Sequence, residues 1–138
     1  MGLAAAWNIA QSLEQLRFAL GIPGKDALIR FQLNNPDQVL REWDAKFTEF
    51  LQEITIFEGV VPLLQALRAR GIHLGVVTSK TQVELAQDFD AMGLTDYFDI
   101  IVTADDTVQH KPDAEPMLNY LKRSGAKAAE TIYIGDAD

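Results

Sequence analysis

Apolar residues recur every third or fourth position at the front of the chain: Leu3, Trp7, Ala10, Leu13, Leu16 and Leu20 line one face of a helix. Gly21, followed by Ile22-Pro23, is a stop signal. A weaker periodic stretch predicts a second helix over Lys25–Gln32. Asn35-Pro36-Asp37 then offers a cap with proline in the first turn, opening a helix with Val39, Trp43, Phe47, Phe50, Leu51 and Ile54 on one side. No strand-like alternation occurs before about residue 54, so this block reads as a small helical bundle. Trp7, Trp43, Phe47 and Phe50 are expected in its core, and Glu42, Asp44, Glu49 and Glu53 on its solvated faces.

The pattern changes at Phe57-Glu58-Gly59. A short amphipathic helix over 60–70 (Val61, Leu64, Leu67) is closed by Gly71. Ile72 to Val77 is a nearly unbroken apolar run rich in β-branched residues and predicts a buried parallel strand, with His73 inside it. Thr81 to Met92 returns to helix, ended by Gly93. Ile100-Ile101-Val102 predicts a second strand, and a polar loop follows from Ala104 to Pro116. A helix through Leu118 and Leu121 reaches Gly125, and Thr131-Ile132-Tyr133-Ile134 predicts a third strand running into Gly135-Asp136. Helices alternating with short apolar strands imply right-handed crossovers and a parallel sheet, hence an α/β fold with a helical insertion at its front.

The 138 residues suffice for one ordinary domain, and 48% apolar against 23% charged residues can bury a core. Twelve Lys and Arg against twenty Asp and Glu give a net charge of −8, which argues against nucleic acid or anionic membrane as partner. A local grip on a small phosphate remains compatible with that charge. With no cysteine there is no disulfide, thiolate zinc site or cysteine nucleophile, which fits a reducing, cytoplasmic setting. The start lacks a basic leader, and no run is long enough to span a bilayer.

In an open parallel sheet, ligands bind at the carboxyl ends of the strands. The first strand is followed by Thr78-Ser79-Lys80. The second leads through Thr103-Ala104-Asp105-Asp106 to His110-Lys111-Pro112, and the third ends in Gly135-Asp136-Ala137-Asp138. A hydroxyl with adjacent N–H groups can hold phosphoryl oxygens, an ammonium can neutralise them, and a carboxylate can hold a hard cation such as Mg²⁺. Each piece alone has an ordinary reading. A Thr after a strand is usually a helix cap, a Lys before proline a solvated cation, and Gly-Asp a turn. His110 reads as a solvated loop residue more readily than as one facing a substrate.

The segments Gly75–Lys80 (Gly-Val-Val-Thr-Ser-Lys), His110–Pro116 (His-Lys-Pro-Asp-Ala-Glu-Pro) and Ile132–Asp136 (Ile-Tyr-Ile-Gly-Asp) together resemble the haloacid dehalogenase (HAD) superfamily of phosphatases, in the branch with a helical cap. Within it the chain looks most like phosphoglycolate phosphatases, pyrophosphate-cleaving enzymes and β-phosphoglucomutases. The resemblance implies a helical cap over residues 1–55 and a partial Rossmann-like core over 56–138. It also implies Mg²⁺-dependent hydrolysis of a small phosphorylated metabolite through an aspartyl-phosphate. Carried over by position, Thr78 and the N–H of Ser79 would bind the phosphoryl group, and Lys111 would neutralise it. Asp136 would bind Mg²⁺, while Lys80 and His110 would be candidate substrate contacts.

The chain departs from the family at the nucleophile, an Asp-x-Asp ending the first core strand ahead of the cap. Asp88-Phe89-Asp90 has the letters but lies in a helical pattern, where i and i+2 do not share a face. The chain is therefore expected to be an inactive piece of a larger enzyme with an incomplete sheet lacking its first strand. The exposed strand edges are then expected to re-pair, to leave the last strand unformed, or to self-associate with another chain. A non-catalytic phosphate-binding or regulatory remnant is the alternative. A signalling receiver domain fits less well, since its Lys should end a strand and its acceptor Asp should not fall in a helix as Asp44 does. Haloacid dehalogenation uses the same fold and is disfavoured by the phosphate-like triad.

Overall fold

Residues 17–19, 21–32 and 35–135 are described by a computed structural model. The helix expected over Leu3–Leu20, with Trp7, lies outside the described residues save one 3-10 turn at Arg17–Ala19. Helix α1 (Gly24–Arg30) starts behind Pro23, whose carbonyl accepts from Ala27 N at 3.1 Å. Helix α2 (Pro36–Phe50) begins with the expected proline in its first turn, although Asn35 makes no side-chain cap bond. The two helices pack through buried Ala27 and Val39. Trp43 and Phe50, expected in the core, are instead exposed at 55% and 53%. Among the described residues, the 7 of α1 are too few to cover the 15 of α2. Asp44 also differs from expectation. It is half-buried, and burial first, then the nearby Glu84 charge, raises its carboxyl above the ordinary value.

Helix α3 (Val60–Ala69) half-buries Val61, Leu64 and Leu67 as its spacing predicts. Strands β1 (Gly75–Val77) and β2 (Ile100–Val102) pair in parallel, with Gly75 opposite Ile100 and Val77 opposite Val102. The six-residue strand expected over 72–77 is halved, because a ladder extends only as far as its partner. His73 consequently stands outside it, 88% exposed at its side chain, with Nδ1 3.2 Å from Asp99 Oδ2 rather than buried. Helix α4 (Gln82–Leu85) opens on a capping box in which Thr81 and Glu84 satisfy each other's backbone N–H, and widens into a π-helical turn at Ala86–Asp90. Helix α5 (Glu115–Ser124) closes at Gly125, whose φ of 69° suits glycine.

The centre of the molecule is the end of β2. Val102 is fully buried, continued by buried Thr103 and Ala104, with Leu85, Leu94 and Tyr120 among the other buried residues. Helix α5 packs on both strands, and its Tyr120 ring lies on Gly75. The third strand does not form. Thr131–Gly135 has no partner in the sheet, which holds two strands among the described residues, and Ile132 and Ile134 are 85% and 87% exposed. Of the outcomes expected for an incomplete sheet, direct re-pairing onto β1 is not seen. β-Branched composition makes a strand only where an edge is offered within reach.

Beyond β2, the turn Ala104–Asp106 folds back so that Asp106 accepts from Thr103 N at 2.7 Å and Thr103 Oγ1 at 3.0 Å, with Arg123 3.3 Å away. The Thr103 N–H, above all, and Arg123 hold the Asp106 carboxyl below its ordinary range. A depressed native value means stability that is present above the unfolded carboxylate pKa of about 3.9 and lost as pH falls through the native value. The melting temperature should therefore drop on acidification below about pH 5, and Asp106→Asn should flatten that acid limb. An unchanged slope in thermal melts of the variant would exclude this contribution.

Candidate active site

The ends of β1 and β2 deliver two loops to one side. Thr78 N donates to Val102 O at 2.9 Å, adding one rung beyond the ladder. Thr78 Oγ1 accepts from Lys80 N at 3.1 Å, which leaves the hydroxyl hydrogen to donate elsewhere. The Ser79 hydroxyl donates to Gly21 O and ties the strand end to the front helices. Lys80 turns away from this rim. Its ammonium pairs with buried Asp88 and lies 5.3 Å over the Phe47 ring. A buried carboxylate needs a partner, and Lys80 supplies it. Asp88 and Asp90 sit in the π-helical turn and do not form a strand-end acid pair.

The second loop runs from Thr107 to Ala114. Glu115 braces it, accepting from Val108 N at 3.1 Å and Gln109 N at 2.7 Å, while Asp113 accepts from Glu115 N at 2.8 Å. His110 is half-buried, with Nδ1 2.9 Å from Asp26 Oδ2 and Nε2 3.1 Å from Ala104 O. Lys111 Nζ donates to the Tyr133 hydroxyl at 3.4 Å, a long contact that leaves its other hydrogens available. An open cleft of about 620 Å³ lies between this loop and α1, lined by Ile22, Asp26, Arg30, His110, Lys111 and Asp113 among others. Its carboxylates are engaged, Asp26 with His110 and Asp113 with the start of α5.

The structure thus brings His110 and Lys111 into one cleft. Thr78, Ser79 and Lys80 form a neighbouring rim outside its lining, joined to it where Ala104 N donates to Lys80 O at 2.9 Å. Asp136 lies outside the described residues. Among those described, no three His, Asp or Glu side chains gather in a way that could hold a metal ion. They do not by themselves constitute a Mg²⁺ site. Asp26 was not singled out in the sequence. Asp26 lies 84 positions from His110, and no local pattern announces such a contact. No described helix is long and apolar enough to cross a membrane.

Comparison with known proteins bears on the family and the fold. The chain is 31% identical over 139 residues to the phosphoglycolate phosphatase of Shigella boydii serotype 4, covering 99% of this chain and 54% of that protein. It is 36% identical over 80 residues to the pyrophosphatase PpaX of Halalkalibacterium halodurans, covering 58% of this chain and 37% of that one. Among solved structures, a hydrolase from Pseudomonas syringae superposes with a TM-score of 0.82 at 25% identity, over 98% of this chain and 65% of its own. CbbY from Rhodobacter sphaeroides, solved in complex with phosphate, shares the fold with a TM-score of 0.74 at 20% identity, over 93% of this chain and 64% of its own. The chain spans about half the length of the Shigella enzyme and about two thirds of these structures. The model of the haloacid dehalogenase-like hydrolase family matches residues 3–138, and the chain, an α/β protein of HAD-like fold, belongs to that family.

Proposed function

We propose that the chain supplies the phosphate-binding half of a phosphatase acting on a small phosphorylated metabolite. The observation that supports this is Lys111, held at the wall of an open cleft whose acids are already engaged. In this reading, the Lys111 ammonium neutralises the phosphoryl oxygens, and Thr78 and the Ser79 N–H donate to them. Residues 1–55 act as cap and 56–138 as partial core. Mg²⁺ at Asp136 belongs to the same proposal, and the described residues do not complete its site. The aspartyl-phosphate route also needs an attacking carboxylate, and no described strand ends in Asp-x-Asp. The chain alone should therefore bind phosphate without turning over its esters. We place it in the cytoplasm on its lack of cysteine, and assign self-association to the unpaired side of β1.

Isothermal titration of the purified chain with inorganic phosphate tests the reading. Lys111→Ala should weaken binding about tenfold or more, the scale of one charge-assisted contact, and Thr78→Val somewhat less. An aryl phosphate with Mg²⁺ should remain at background turnover. Failure of wild type to bind phosphate would remove the site. Robust turnover abolished by Asp136→Ala would refute the inactivity of the chain alone.

A further inference from the structure

His110 lines the cleft and is half-buried, and its ring spans two acceptors belonging to separate parts of the molecule. Nδ1 meets Asp26 on α1, and Nε2 meets the carbonyl of Ala104 at the end of β2. A carbonyl oxygen can only accept, and so can an ionised carboxylate. Neutral imidazole carries one N–H and can serve one of them; imidazolium serves both. We propose that His110 is a proton-dependent positioning residue, clasping α1 against the Lys111 loop when doubly protonated and loosening it when neutral.

The surroundings decide which end gives way. Ala104 is buried and fixed through its own N–H to Lys80 O, whereas Asp26 sits on a seven-residue helix at the surface. The charged groups on the elements around the ring are otherwise engaged or directed elsewhere. On α1, Lys25 pairs with Asp37 at 2.9 Å, and Arg30 lines the cleft one turn beyond Asp26. In the loop, Lys111 reaches Tyr133 and Asp113 caps α5. Past β2, Asp105 accepts from Gln82 N at 2.7 Å, and Asp106 holds Thr103 and Arg123. Among the described residues, Asp26 is the only charged side chain within hydrogen-bond distance of the ring. Deprotonation thus loosens the cleft wall at Asp26. The clasp does not depend on what the cleft binds.

Amide hydrogen exchange of the whole chain, corrected for intrinsic exchange rates, tests this between about pH 5.5 and 8, where imidazole changes charge. Protection at Ala27 and Phe31 should fall roughly fivefold or more across that range, the lower bound of an ordinary coupling, while protection in α5 holds. His110→Gln and Asp26→Asn should each abolish the response confined to α1, and His73→Gln should leave it intact. Protection in α1 that ignores pH in the wild type would overturn the proposal, as would an undiminished response in both variants. If His110→Gln fails to fold, Asp26→Asn decides alone, because it leaves the ring's contact with Ala104 in place.

Discussion

Gly75→Ala should destabilise the chain by about 3 kcal/mol or more, beyond the usual range for overpacking because the obstacle is a buried ring. A Cβ at this position would overlap Tyr120 Cε2 and stand 2.6 Å from both Cζ and Oη, far inside van der Waals contact. Neither side can yield easily. Gly75 is fixed by its register with Ile100, and Tyr120 is buried where α5 crosses both strands. Urea denaturation should show a lower midpoint, and trimming the ring should relieve the clash: Gly75→Ala with Tyr120→Leu should lose less than the sum of the two single changes. Strict additivity would mean that the ring moves aside freely and that the close approach does not matter.

Val102→Asp should abolish cooperative unfolding altogether. Val102 has 0% of its surface exposed, and Thr103 and Ala104 beyond it are buried as well. A carboxylate there would have no partner, and an unpaired buried charge is among the most destabilising changes a core can suffer. Near-ultraviolet circular dichroism should lose its fine structure. Val108→Asp, at a position 83% exposed in the loop, should leave the spectrum and the thermal transition close to wild type. A cooperative Val102→Asp protein would show that the two strands are not the centre of the fold.

Local rules carried the sequence reading wherever a neighbour in the chain decides the outcome. Pro36 opens α2, Gly125 closes α5, and Ile100-Ile101-Val102 is a strand, because proline, glycine and β-branched residues act through their own backbone preferences. Reading broke down where a distant partner decides. Thr131–Ile134 has every local mark of a strand yet pairs with neither strand of the two-stranded sheet. His73 sits in an apolar run yet falls outside the ladder because β2 is only three residues long. Lys80 follows a strand like a ligand-binding residue, but Asp88 claims it. Of the candidate site, the placement of Thr78 at a strand end was legible. The two contacts of His110 were not, since one of its two acceptors lies in the front helices.

The bare run Ile132-Tyr133-Ile134 bears on the proposed self-association of the chain. Were such a strip of β-branched and aromatic surface to attract its own kind, what would oppose it at neutral pH is mutual repulsion between molecules carrying −8 each. Repulsion of this sort reaches about 10 Å at 0.1 M salt and about 3 Å at 1 M, whereas the attraction hardly weakens. On that proposal, colloidal stability would follow ionic strength more than folding free energy, and dilute buffer should favour dispersed molecules over precipitate.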